Sequence, residues 1–198
     1  MPSNKSIVFQ LYSCLYRKFV AVLWNSQQKK FKAIGKSCGV LELPYVMGYN
    51  YIEIGDSFSC GKDVRIEAWD CYGKQEFSPR ISIGNNVTFT DRCYISCVDR
   101  VDIGDGVLLG RDVFITDNSH GASKQDMLNI QPLRRPLTTK GPVIIGKNVW
   151  IGRQVTVLSG VTIGENTIIG ANSVVNKDIP ANCVAAGNPA IVLKQIES

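Results

Sequence analysis

The chain contains one histidine, His120, in a polar run, Thr116-Asp117-Asn118-Ser119-His120-Gly121. Near pH 7 a neutral imidazole can take a proton from a hydroxyl and give it up again, which is the work of a general base. By residue type alone, a single histidine in such a loop is more often an exposed bystander, so its setting has to decide. Asp117 could orient the imidazole or hold an acceptor hydroxyl. Equally, it could cap a turn through an Asx contact. The seven cysteines, at 14, 38, 60, 71, 93, 97 and 183, include no C-x-x-C pair. Neither a zinc site nor a disulfide framework is expected, and free thiols point to a reducing, cytoplasmic compartment.

The elements that must position these groups are visible as a repeat. Aliphatic residues recur six apart at Ile145, Ile151, Val157, Ile163, Ile169 and Val175, often followed by glycine, as at Gly146, Gly152, Gly164 and Gly170. The same register runs through Ile83, Phe89 and Ile95, then Ile103, Leu109 and Ile115, with weaker copies opening at Ile34 and Ile54. A period of six fits neither a helix nor an alternating strand. It fits a coil of short strands joined by turns, three sides to a coil, in which the aliphatic residue points inward and stacks on its copies. The small residue beside it allows a corner that a Cβ would obstruct.

The repeat covers roughly residues 31–179 and is interrupted once, by an excursion over 117–142 that begins at the histidine. Long aperiodic loops in compact domains are usually functional. Before the repeat, Val8, Tyr12, Leu15, Phe19 and Val22 recur at helical spacing. Charged and polar residues interrupt this stretch short of a membrane-spanning length. The expectation is an amphipathic helix capping the open coil and burying Leu15, Phe19 and Val22, with peripheral membrane contact as the alternative. The predicted organisation is a helical segment at 1–30, the coil domain at 31–180 and a short tail at 181–198. The net charge of +5 comes partly from clusters such as Lys29, Lys30 and Lys32, or Arg134 and Arg135. It suits an anionic small ligand or glycan, and no aromatic-interleaved basic stripe suggests nucleic acid.

These units, and above all Gly141-Pro142-Val143-Ile144-Ile145-Gly146, Asn148-Val149-Trp150-Ile151-Gly152, Lys177-Asp178-Ile179-Pro180-Ala181-Asn182 and Gly187-Asn188-Pro189-Ala190, resemble the hexapeptide-repeat acyltransferases. The resemblance implies an all-β left-handed parallel β-helix assembled as a homotrimer. It also implies transfer of an acetyl group from acetyl-CoA, without a metal, to a sugar hydroxyl in O-antigen, capsule or other surface polysaccharide synthesis. In that family the catalytic histidine stands just before the extended loop, the place held by His120. The acceptor-binding asparagine of many relatives is replaced in the corresponding region by Thr90 and Asp91, so Asp91 joins Asp117 as a candidate for the acceptor. Carried over residue by residue, Trp150, Arg153, Ala171, Asn176, Lys177 and Lys194 line the CoA groove. Asn176 stands where many relatives have threonine, and Arg153 where some have serine. One histidine excludes the three-histidine zinc site of the γ-type carbonic anhydrases that share this fold. An antibiotic-inactivating acetyltransferase, an amino-sugar N-acyltransferase and a non-catalytic β-helix scaffold are the rival readings.

Overall fold

The computed structural model describes residues 4–122 and 125–196. From Ala33 the backbone winds as a three-sided parallel β-helix. Sheet 1 has six strands, from Ala33–Ile34 to Thr162–Ile163, and sheet 3 has six, from Tyr45–Met47 to Val174–Val175. Sheet 2 has eight; it starts at Gly39–Val40 and closes with Cys183–Gly187 and the antiparallel strand Ala190–Gln195.

The pairing register is the one the six-residue period demands. Ile83, Ile103, Ile145 and Ile163 stack in sheet 1. Phe89, Leu109, Ile151 and Ile169 stack in sheet 2, and Ile95, Ile115, Val157 and Val175 in sheet 3. None of these twelve is more than 3% exposed. No single coil could exclude water from them, and each buried side chain of this size contributes about 1.5–3 kcal/mol relative to exposure. The corners are equally specified. Asn148, Asn166 and Asn182 adopt φ of 56°, 57° and 55°, a left-handed conformation that asparagine tolerates well. Their amides form a ladder, with Asn148 Nδ2 donating to Asn166 Oδ1 at 3.2 Å and Asn166 Nδ2 to Asn182 Oδ1 at 2.8 Å. At Gly104 a Cβ would lie 2.7 Å from the backbone nitrogen of Lys147 in the next coil, so only glycine fits.

The outer faces differ in character. Sheet 1 presents Glu53, Ser82 and Asp102 to solvent, whereas sheet 2 carries the in-register apolar row Leu108, Trp150, Ile168 and Val184. On sheet 3, Tyr94 and Phe114 stack at 5.1 Å, and the Arg65 guanidinium lies over the rings of Tyr45 and Tyr94.

The helix Asn4–Gln28 precedes the coil, but it does not dock as its apolar stripe suggests. Leu15, Phe19 and Val22 are 67%, 61% and 67% exposed, and Tyr12 is exposed with them. Val8 belongs to the same stripe, but its side chain lies outside the described residues. Contact is made instead by Val20 and Trp24 near the helix's C-terminal end, both nearly inaccessible. Trp24 packs edge-on against Phe31 at 5.9 Å and donates from Nε1 to Cys38 O at 3.0 Å, while Gln27 Nε2 donates to the Tyr49 hydroxyl. The physical reason is that the specific contacts lie at the helix's last turns: the Trp24 ring and indole N–H and the Gln27 amide meet the first coil, while the preceding stripe has no partner there. No helix among the described residues is long and apolar enough to cross a membrane.

Trp24 is therefore the anchor. Trp24→Phe keeps the ring packing but removes the indole donor, and a net hydrogen bond is worth about 1 kcal/mol. We expect the urea midpoint to fall by a corresponding amount. An unchanged midpoint would mean that the helix is not held through this bond.

Candidate active site

Two excursions leave the corner between sheets 3 and 1. The first spans residues 69–79 and folds as a hairpin of Cys71–Tyr72 and Gln75–Glu76 around Gly73, whose φ of 61° suits glycine. The second spans 117–142 and contains an antiparallel pair, Ser119–His120 with Leu137–Thr138, in which His120 faces Leu137.

The second excursion is pinned at its root and braced at its far side. The Asp117 side chain is fully buried, with Oδ1 accepting from Val98 N at 2.9 Å and Oδ2 from Asp99 N at 2.8 Å in the preceding coil. The Cys97 thiol also donates to Oδ2, at 3.2 Å, and burial together with the Asp117 charge raises the thiol's pKa, keeping it a protonated donor. Ser159 ties the two ends together: its hydroxyl donates to Asp117 O at 2.7 Å and accepts from Lys140 N at 2.7 Å. On the far side, the Gln75 amide accepts from Leu137 N at 2.7 Å and donates to Leu137 O at 3.1 Å, clamping the strand that pairs with His120. Tyr72 donates to Leu133 O and meets the exposed His120 ring edge-on, 5.4 Å between centroids.

Beneath the excursion runs a row of polar side chains on sheet 3, Glu67, Ser96 and Thr116, all buried although they face outward. Glu67 accepts from Arg65 and from the Tyr94 hydroxyl at 2.8 Å, and Asn118 Nδ2 donates to Ser96 Oγ at 3.2 Å. Burial, with the hydrogen bond to Glu67, pushes the Tyr94 phenol up to about 12, so it remains a donor at neutral pH.

Sequence reasoning anticipated one excursion and missed the hairpin that braces it. The signal was present: the phase is lost after Ile66 and regained only at Ile83, and Gly73 lies in that gap. Asp117 sits squarely on the turn at Cys97–Asp99, and the contacts of its carboxylate run to that turn and to the neighbouring Asn118 amide, not to the imidazole. Asp91 lies elsewhere, at the corner between sheets 2 and 3, where it accepts from Lys62 N and pairs with Arg111. These partners hold its carboxyl below the usual range, the Lys62 amide most strongly.

The six residues expected along a CoA groove fall into two groups. Asn176 and Lys177 follow Val174–Val175 at the same corner as His120. Trp150, half exposed, and Lys194 belong to sheet 2, whereas Arg153 and Ala171 follow sheet 2 strands at the corner shared with Asp91. Arg153 pairs with Asp112 at 3.4 Å, and the two lysines are exposed. One chain therefore does not bring the second group to His120. Among the described residues no cluster of His, Cys, Asp and Glu could hold a metal ion.

Residues 142–177 match the family model for the bacterial transferase hexapeptide (six repeats). WbbJ of Escherichia coli strain K12, whose name assigns it to O-acetyl transfer in lipopolysaccharide biosynthesis, is 36% identical over 165 residues, covering 81% of this chain and 80% of that protein. A galactoside acetyltransferase in complex with coenzyme A superposes with a TM-score of 0.56 at 29% identity, covering 86% of this chain and 68% of that one. The hexapeptide-repeat containing acetyltransferase of Vibrio cholerae, complexed with acetyl coenzyme A, superposes with a TM-score of 0.59 over 100% of this chain and 92% of that one. At 21% identity that last likeness is one of fold.

Proposed function

The chain belongs to the hexapeptide-repeat acyltransferase family, folded as a left-handed parallel β-helix, and from that membership we propose that it moves an acetyl group from acetyl-CoA to a sugar hydroxyl during assembly of a surface polysaccharide. The observation that carries the reading is His120: the chain's one histidine stands exposed at the head of an excursion that is pinned and braced on both sides. In the proposed step the imidazole takes the proton of the acceptor hydroxyl as its oxygen bonds to the thioester carbonyl carbon. The tetrahedral intermediate then expels the CoA sulfur, the C–S bond breaks, and the proton passes to the thiolate. Base assistance typically supplies ~10²–10⁴-fold, and juxtaposing the two substrates supplies much of the rest.

The residues present suit CoA: exposed Lys177 and Lys194 can meet phosphates, and exposed Trp150 offers an apolar wall. Their division between two corners is the argument for a trimer. A groove between adjacent chains sets the sheet 3–sheet 1 corner of one copy, with His120, Asn176 and Lys177, against sheet 2 of its neighbour, with Trp150, Arg153 and Ala171. The apolar row on sheet 2 gives such an interface its driving force. Because acetyl-CoA is the donor, we place the reaction in the cytoplasm.

The test pairs function with assembly. The purified protein is given acetyl-CoA with either bacterial glycans or an antibiotic panel, and light scattering fixes the mass of the active species. Acetylated glycan from a trimer is the expected result. Transfer to an antibiotic alone would replace the sugar acceptor, and an active monomer would remove the shared groove.

A further inference from the structure

The two excursions enclose a groove of about 480 Å³, lined by Tyr72, Lys74, Leu133, Arg134, Arg135 and Pro136 among others. It opens one ring away from the imidazole, because Tyr72 forms its wall and also meets His120 at 5.4 Å. Its lining joins three cations to an apolar wall. Among the described residues, no carboxylate forms an ion pair with Lys74, Arg134 or Arg135; the Arg135 Nε donates to Ile130 O, which leaves its terminal nitrogens free to face the groove. Leu133 is 76% exposed although it borders a concave site. Glu76 is on the same hairpin, but it pairs across from Cys71 at the base and does not line the groove.

We propose that this groove is the acceptor subsite and that the acceptor is an anionic sugar, one carrying a phosphate or carboxylate group across the ring from the hydroxyl that is acetylated. The proposal rests on the acetyltransferase reading and names its substrate class. The apolar face of the sugar lies on Tyr72 and Leu133, while the anion is held by Lys74, Arg134 and Arg135, guanidinium being able to engage an oxyanion through two parallel N–H bonds. This placement leaves the hydroxyl on the opposite edge of the ring beside the imidazole. It also gives the hairpin a chemical role, since a β-helix corner without it would have the histidine but no second wall.

Transfer from acetyl-CoA is measured for three matched acceptors in both the galacto and gluco series: the neutral methyl glycoside, the corresponding uronic acid and the sugar 1-phosphate. One anionic class is expected to exceed its neutral counterpart in kcat/KM by about tenfold or more, as a charge-assisted pair supplies. The advantage should shrink as salt rises, because exposed charges are screened. In the variant carrying Lys74→Gln and Arg134→Gln together, the anionic-to-neutral ratio should approach one. The uronic acid and phosphate arms tell which anion is read. Equal kcat/KM for neutral and anionic sugars, or a ratio that the variant leaves unchanged, overturns the proposal. If no acceptor is acetylated, the acetyltransferase reading fails and calorimetry with the same sugars decides this one. Preferential binding of an anionic sugar that the double variant loses supports it; indifference to charge overturns it.

Discussion

Replacing His120 with alanine should lower acetyl transfer by ~10²-fold or more while leaving the fold and the affinity for CoA close to wild type. The ring is exposed and meets Tyr72 edge-on, so its removal opens no core cavity. The strand carrying it is held by backbone pairing with Leu137, which alanine preserves. His120→Asn supplies a polar side chain of similar reach that cannot accept the proton, so it should fall nearly as far. Turnover with a competent acceptor and CoA binding are measured on the same samples, since a loss confined to turnover identifies an interaction made in the transition state. Activity within a few-fold of wild type in both variants would remove His120 as the base and the mechanism with it.

The second large effect is on stability. Asp117→Ala deletes the acceptor for two backbone N–H groups, Val98 and Asp99, at a position with no access to solvent. An unsatisfied buried donor costs about 1–3 kcal/mol, so two of them put the expected loss at roughly 2–6 kcal/mol, a large part of the stability of an ordinary domain. Asp117→Asn retains one acceptor oxygen and should lose less. Denaturant midpoints for both variants, with slopes compared, measure the effect. Should Asp117→Ala unfold within ~0.5 kcal/mol of wild type yet lose turnover, the carboxylate would belong to the chemistry and the turn at Cys97–Asp99 would not depend on it.

What could be read from the sequence follows from how each feature is encoded. The stacked residues from Ile83 to Val175 are legible because a coil of fixed length turns three-dimensional stacking into a linear period. The excursion after Ile115 is legible as the place where that period stops. The role of Asp117 is not, since its partners lie in another coil, 18 to 20 residues away, and no local pattern marks that contact. The helix shows a different limit. Periodicity identified Leu15, Phe19 and Val22 as one face, but a period says which residues share a face and not what that face meets. The contact fell to Val20 and Trp24, whose partners lie in the first coil and leave no mark in the helix's own period. The hairpin at 69–79 was hidden because its brief run carries no repeat of its own, although the loss of phase around it is visible in the chain. The division between two corners of the residues expected to line a CoA groove follows from strand order, which becomes readable only once each turn has been assigned to a side.

The way sheet 2 ends has a consequence for the length of the object. A parallel β-helix adds coils in one direction without any geometric reason to stop, and its last coil presents open strand edges on which another molecule could continue the winding into a filament. Here the strand Ala190–Gln195 turns back and runs antiparallel along Cys183–Gly187, with a register shift between Val184 and Ala185. An incoming coil would have to extend all three sides in one register, and one side now points the wrong way, out of step and bearing Lys194. The reversed strand is a stop signal written in strand direction: it leaves no matching edge on which another copy could continue the winding past this coil.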